Sequence, residues 1–338
     1  MRAPGRPRLL VLAPDALFRS FFDEVLRRRL SRAFRWTRSG ARSLERVPRG
    51  ALAEADALVT TWDSPLFPAG SLERAPRVRM VGHCGGEVKG RFAAPLFDRI
   101  TITNAPGPMA GYVAELAVAT LLYAVRNVDA HRASLRRATN AVYSRIHRDG
   151  VGDETVAGRA IGLLGFGRIG RQVAARLRPF GARVLVHDPY VSAQDVRRLG
   201  ATPVSWPALL DGSRHLVIAA ALTPRTRGLV DGRALRRLPD GAVVVNVARG
   251  ALLDLAALTA EVRSGRLRCA LDVTDPEPLP PRHPLRRLPG AILTPHVASG
   301  QREVRAAMAD TVLDDLERFF AGRRPRNRVT AAMLERMT

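Results

Sequence analysis

Three segments of this chain set reactive side chains just past short apolar runs. Val243-Val244-Val245-Asn246-Val247-Ala248-Arg249-Gly250 delivers an arginine, and Leu271-Asp272-Val273-Thr274-Asp275-Pro276-Glu277-Pro278 delivers carboxylates. Leu293-Thr294-Pro295-His296 delivers an imidazole. A guanidinium is a planar fork that grips a carboxylate and polarises the carbonyl beside it. An imidazolium donates a proton to oxygen as hydride reaches carbon, and a buried carboxylate on its far nitrogen holds the ring in orientation. Together they are the groups that reduction of a 2-oxo acid needs. A lone histidine past a strand is more often a packing or capping residue; the arginine and glutamate segments at equivalent places reverse that reading.

The hydride source has its own signature. Ile161-Gly162-Leu163-Leu164 runs into Gly165-Phe166-Gly167-Arg168-Ile169-Gly170, and Val184-Leu185-Val186-His187 ends on Asp188. Strand, G-x-G-x-x-G turn, helix and a second strand closed by a carboxylate form a dinucleotide-binding unit. Gly165 takes the tight turn, Gly167 lets backbone approach a pyrophosphate, and Gly170 lets helix lie close on strand. Val173, Leu177 and Phe180 form the apolar stripe of that helix, whose N-terminal N–H groups face the phosphates. Asp188 can accept the ribose hydroxyls and repels a 2′-phosphate, which favours NAD over NADP.

These groups need strands that end in one place. Leu9–Ala13, Phe34–Thr37, Ala57–Trp62, Val78–Cys84 and Ile100–Asn104 read as short strands, with helical stretches at Ala16–Leu30 and Ala51–Ala55. A long apolar helix starts at Tyr112, a polar stretch covers Arg126 to Thr155, and the dinucleotide unit follows. Later strands fall at Leu216–Ala220, Ala242–Asn246, Cys269–Val273 and Ala291–Leu293. After His296 an amphipathic helix carries Val304, Met308, Val312, Leu316 and Phe319 on one stripe, and the first sheet is its expected partner. The expected architecture is α/β: two Rossmann-like or flavodoxin-like doubly wound parallel-sheet domains. Residues 105–298 form a nucleotide-binding domain inserted into a substrate domain of residues 1–104 and 299–338, with the two crossings as a hinge. Carboxyl ends of the strands then open onto the nicotinamide.

Composition narrows the class. At 338 residues and 46% apolar the chain can bury large cores. The stretch Val113–Val125 is too short for a membrane span, and the N-terminal apolar run is cut by Pro14-Asp15 before it reaches signal-peptide length. Cys84 and Cys269 stand far apart, and the histidines lack ligand spacing, so neither a disulfide framework nor a metal site is expected. Cytoplasm is the expected location. A net charge of +23 raises nucleic-acid binding, yet Lys89 is the sole lysine and arginines recur on almost every surface segment. Without a basic strand interleaved with aromatics or a helix-turn-helix pattern, that spread argues against such a role.

With these motifs in order, the chain resembles the NAD-dependent D-isomer-specific 2-hydroxyacid dehydrogenases. The likeness is carried by Val113-Ala114-Glu115, Gly165–Gly170, Asp188-Pro189-Tyr190, Leu222-Thr223-Pro224-Arg225-Thr226, Asn246–Gly250, Asp272–Pro278 and Thr294-Pro295-His296. The resemblance implies NAD as cofactor, a small 2-oxo or 2-hydroxy acid as substrate, and a homodimer joined through the nucleotide domain. It makes Arg249 the substrate clamp, His296 the acid–base residue and Glu277 its partner. Arg168 and Ile169 would face the pyrophosphate, Asp188 the adenosine ribose and Asp272 the nicotinamide carboxamide. The segment Val247–Arg249 would lie along the nicotinamide, and Thr226 would also bind the cofactor. Backbone N–H groups at Cys84, Gly85 and Gly86 would cradle the substrate carboxylate. Glu87 stands in that loop against the family pattern, and its side chain is expected to point away. In Ile218-Ala219-Ala220-Ala221-Leu222, alanines stand where relatives usually show a histidine and a proline. An NAD(H)-sensing corepressor-like binding protein of the same fold is the alternative. A phosphoglycerate dehydrogenase with a regulatory module is disfavoured because little chain follows the last helix, and a formate dehydrogenase because those relatives carry an amide where Glu277 stands.

Overall fold

The computed structural model describes residues 5–136, 139–149 and 154–337. In chain order its strands are β1 (Arg8–Leu12), β2 (Arg35–Ser39), β3 (Ala57–Thr60), β4 (Met80–His83), β5 (Thr101–Asn104), β6 (Ala160–Leu164), β7 (Arg183–His187), β8 (Thr202–Pro203), β9 (His215–Ile218), β10 (Val243–Asn246), β11 (Arg268–Leu271), β12 (Ala291–Leu293) and β13 (Arg328–Val329). They form two sheets. One runs β13-β5-β4-β3-β1-β2 and the other β12-β11-β10-β9-β6-β7-β8. Every pairing is parallel except β13 on β5. Central strands such as β3, β6, β9 and β10 are buried along their whole length, which is why they read as unbroken apolar runs rather than alternating ones.

The chain divides into two compact units, Met1–Met109 with Ser299–Thr338, and Ala110–Ala298. The first junction falls five residues beyond the expected 104/105 boundary because Ala105 N–H bonds Gly85 O and Met109 packs into the first unit's core.

In the first unit β1 is the switch strand, with β2 on one side and β3 on the other. Its ligand crevice therefore lies outside the carboxyl ends of β1 and β3. Helix Arg302–Phe320 covers this sheet with Val304, Met308, Val312 and Leu316, packed with Phe18, Phe21, Phe22 and Leu26. A Cβ on Gly82 would sit 2.4 Å from Val312 Cγ1, so only glycine lets this helix lie so close to β4. The expected helix Ala16–Leu30 is two, Asp15–Phe21 and Glu24–Ala33. Asp23 breaks it by capping the second, its carboxylate accepting from Leu26 N–H.

In the second unit the switch lies between β6 and β9. The polar stretch after the long helix carries two helices, Val128–Leu135 and Asn140–Asp149. The apolar helix itself spans Pro106–Val125, longer than the sequence suggested, and by length and composition it is sufficient to cross a membrane. Of its most apolar window, 44% is buried inside the chain.

Candidate active site

At the switch point of the second unit, Gly165 follows β6 with φ +93°, and a Cβ there would come within 2.6 Å of Ala220 N. Glycine is required on both counts. Gly170 packs so tightly that its Cβ would lie 2.2 Å from Gly165 O, while a Cβ on Gly167 would meet nothing within 4 Å. One glycine thus closes helix Arg168–Leu177 onto the strand and another leaves open space beside the loop. The N–H groups of Gly167, Arg168 and Ile169 have no partner among the described residues. A diphosphate fits this turn of free donors at the positive end of a helix dipole.

Asp188 sits past β7 with both carboxylate oxygens already engaged. Oδ2 accepts from Phe166 N–H at 2.7 Å and Oδ1 from Tyr190 N–H at 2.9 Å. The expected ribose ligand therefore also fastens the glycine loop to β7. A carboxylate has about four lone-pair directions, so capacity for hydroxyl donors remains.

His296 Nδ1 lies 2.6 Å from Glu277 Oε1. An ionised carboxylate only accepts, so Nδ1 carries the proton and Nε2 is left for a substrate. Glu277 is exposed rather than buried as the sequence suggested, because the run Asp275–Pro278 stands out from the sheet edge. His296 adopts the left-handed backbone region at φ 53°, which only a few percent of non-glycine residues do. Asp272 holds that conformation. Its backbone carbonyl accepts from His296 N–H at 2.8 Å. Its buried carboxylate accepts from Thr294 Oγ1 at 2.6 Å, Val297 N at 2.9 Å and Ala298 N at 3.1 Å. Three of its lone-pair directions thus go to the histidine's own loop, a role the sequence did not suggest, beside the expected contact with the nicotinamide carboxamide.

A cavity of about 550 Å³ opens here, lined by Asp272, Thr274, Glu277, Thr294 and His296 together with Leu279, Leu293 and Arg286. Arg286 was not singled out from the sequence, and Thr294 was quoted only as part of the histidine segment. Arg286 follows a turn of proline and leucine with no motif around it, and only the fold brings it to the cavity.

Arg249 begins the short turn after β10, and its Nη1 donates to Ala248 O at 2.7 Å. Asn246 fixes that turn, accepting from Ala248 N–H at 3.0 Å and donating to Arg249 O at 2.9 Å. A Cβ on Gly250 would fall 2.0 Å from Thr274 C, so the arginine turn is pressed against the Thr274–Asp275 backbone. Hence Arg249 is brought to the carboxylate loop, although it does not line the cavity of His296. Val247 and Ala248 are buried at the end of the same strand. The Thr226 hydroxyl closes a turn, accepting from Thr223 N–H at 2.8 Å and donating to Ala221 O at 2.7 Å.

In the first unit, Cys84 is a correction. Its side chain is wholly inside the core, and burial pushes its thiol well above the usual range. Cys84 N–H bonds Thr60 O at 2.8 Å and Gly85 N–H bonds His83 O at 2.9 Å, so neither offers its donor to a ligand. The N–H groups of Gly86 and Glu87, the next residues of the loop, have no partner among the described residues. Glu87 folds away as expected, Oε1 accepting from Gly90 N–H at 2.5 Å. His83, buried against Phe92, is pushed down to about 3 by desolvation and then by the charge of Arg91, so it is neutral and serves as a hydrogen-bond partner of Thr60 at 2.9 Å. Both cysteines are free and buried, and among the described residues no cluster of His, Cys, Asp and Glu is arranged for a metal.

Residues 118–298 match the family model for the NAD-binding domain of the D-isomer specific 2-hydroxyacid dehydrogenases. The chain is 34% identical over 278 residues to D-3-phosphoglycerate dehydrogenase of Mycobacterium leprae, covering 80% of this chain and 50% of that protein. It therefore spans about half the length of the phosphoglycerate dehydrogenases it matches first. Glyoxylate reductase of Korarchaeum cryptofilum is 32% identical over 289 residues, 83% of this chain and 85% of that one. Among solved structures, the NADPH-dependent glyoxylate/hydroxypyruvate reductase of Sinorhizobium meliloti superposes with TM-score 0.78 at 26% identity, covering 96% of this chain and 98% of that one.

Proposed function

The chain belongs to the D-isomer specific 2-hydroxyacid dehydrogenase family, and from that premise we propose that it interconverts a small 2-oxo acid and its D-2-hydroxy acid with NAD(H). The observation that carries this is the 2.6 Å bond between His296 Nδ1 and Glu277, made on a cavity wall by a histidine whose backbone Asp272 holds in place. When bound, the nicotinamide supplies or takes the hydride. In the direction of reduction, His296 gives the proton on Nε2 to the substrate oxygen, and Glu277 stabilises the ring through Nδ1–H and keeps it from turning. Arg249 takes the substrate carboxylate as a fork; in the first unit, the N–H groups of Gly86 and Glu87 are donors suited to a carboxylate. Gly165, Gly167, Arg168, Ile169 and Gly170 hold the diphosphate, and Val247 and Ala248 form the wall along the nicotinamide. Asp272 acts on His296 through its loop. Exposed Tyr123, Val128, Leu135 and Tyr143 on three consecutive helices support a homodimer built on the second unit. Two free, buried cysteines fit a reducing compartment such as the cytoplasm.

Incubating the purified protein with NADH and glyoxylate, hydroxypyruvate, phenylpyruvate and branched-chain 2-oxo acids, and following the loss of NADH absorbance, tests the proposal. Saturable turnover of at least one acid is expected. NADH binding without turnover of any of them would point instead to a nucleotide-sensing binding protein.

The choice of NAD rests on Asp188. Replacing Asp188 with Asn keeps an acceptor for Phe166 N–H while removing the charge that repels a 2′-phosphate. The preference for NADH over NADPH, measured as a ratio of dissociation constants, should fall roughly tenfold, the worth of a hydrogen bond to a charged group. An unchanged ratio would refute the ribose assignment.

A further inference from the structure

We infer that Arg305 is a specificity residue for a second negative group on the substrate, so that the preferred 2-oxo acid carries a further carboxylate or a phosphate. The inference rests on the dehydrogenase assignment above and concerns the first unit alone. Thr60 and His83 are paired in register on neighbouring strands, so the loops leaving β3 and β4 emerge side by side beside the switch strand. The β3 loop carries Trp62, and the β4 loop carries the free N–H groups of Gly86 and Glu87.

Trp62 is held firmly. Arg91 donates through Nη2 to Trp62 O and through Nη1 to Ser64 O, Ser64 Oγ donates to Leu12 O, and Phe21 meets the indole edge-on at 5.1 Å. The indole reaches the glycine loop, since a Cβ on Gly85 would lie 3.2 Å from Trp62 Nε1. Over this ring lies the guanidinium of Arg305, 5.0 Å from the centroid. One indole therefore separates this cation from the loop that carries the unpartnered N–H groups of Gly86 and Glu87.

Arg305 combines this stacking with the lack of a counter-ion among the described residues and a buried, unpartnered Nε. Arg29, on a helix of the same unit, is paired with Asp310, Asp314 and Glu317. Arg305 makes no ion pair with any described residue, and its Nε is buried without a hydrogen-bond partner. A half-buried guanidinium held flat on an aromatic face, with its charge uncompensated, has lost part of its hydration and gains more than a surface arginine from an anion. Glu87, the acidic side chain of the neighbouring loop, is turned onto Gly90 and leaves the cation unanswered. A substrate with its 2-oxo carboxylate on Gly86 and Glu87 and a second oxyanion one indole away satisfies both groups at once.

The test compares kcat/KM with NADH for acids of one negative charge (glyoxylate, pyruvate), acids with a second carboxylate (oxaloacetate, 2-oxoglutarate) and one with a phosphate (3-phosphonooxypyruvate). Wild-type protein should prefer at least one doubly anionic acid, and which arm wins identifies the second group. In Arg305→Gln the ratio of doubly to singly anionic kcat/KM should fall roughly ten- to a hundredfold, mostly through KM, as expected for losing a charge-assisted bond. Arg305→Lys should recover part of the ratio, and Trp62→Leu, which removes the platform, should lower it in the same direction. A wild-type preference for singly anionic acids, or a ratio that Arg305→Gln leaves in place, would overturn the role of Arg305 while the dehydrogenase assignment stands. Failure of every acid with the wild-type protein would overturn both.

Discussion

His296→Gln is expected to lower turnover about a hundredfold or more, the usual worth of a positioned general acid, while the dissociation constant for NADH stays as it was. Glutamine is close in length and can hydrogen-bond to Glu277, so the cavity wall is preserved; it has no proton to give at the place of Nε2. Two decades in kcat correspond to about 2.7 kcal/mol of lost transition-state stabilisation. Because the proton moves only in the chemical step, the loss should appear equally in kcat and in kcat/KM. Glu277→Gln should follow the same direction less steeply, since Nδ1–H keeps a partner but loses the charge beside it. Stopped-flow with saturating NADH separates chemistry from release. Wild-type turnover in His296→Gln would take the histidine out of the reaction.

Asp272→Ala should damage both stability and catalysis. The substitution strips partners from Thr294 Oγ1, Val297 N and Ala298 N in a place where Asp272 itself is only 4% exposed. Unpaired buried donors cost about 1 to 3 kcal/mol each, and with partial relaxation the total is on the order of 3 kcal/mol. His296, in a backbone conformation with φ 53°, then loses the loop that over-determines it, and kcat should drop roughly tenfold to a hundredfold. Thermal unfolding and single-turnover rates measured on the same preparation decide the matter. A variant with native melting behaviour and only weakened NADH binding would return Asp272 to the cofactor contact expected from the sequence. Asp272→Asn, which retains one good acceptor, should lie between wild type and alanine in both measurements.

Much of the site was legible because it depends on short-range rules. A G-x-G-x-x-G turn announces itself because no other residue tolerates φ +93° at Gly165 or a carbonyl 2.2 Å from a Cβ at Gly170. Arg249, Glu277 and His296 stood out because buried parallel strands read as apolar runs, and whatever polar residue follows such a run must lie at a carboxyl edge. The pairing of His296 with Glu277 was anticipated on resemblance, and the structure supplies its distance.

What escaped the sequence is the occupation of each polar atom. Asp272, Asp188 and Thr226 are of the right type and in the right place for a cofactor, yet their oxygens already bind Thr294 and Ala298, Phe166 and Tyr190, and Thr223 and Ala221. Cys84 sits in a loop motif and still points inward, because the residue after a fully buried strand continues its alternation. Trp62 and Arg305 stand at opposite ends of the chain, and no periodicity links them.

The sequence by itself determined the strands other than the two short edge strands β8 and β13, the nucleotide loop and the identities of the reactive groups, because φ preference, apolar burial and side-chain chemistry are local properties. Only the tertiary structure decided which of those groups are spent on holding a loop and which are left to meet a ligand, because a hydrogen bond is made once and its partner is chosen by distance in space.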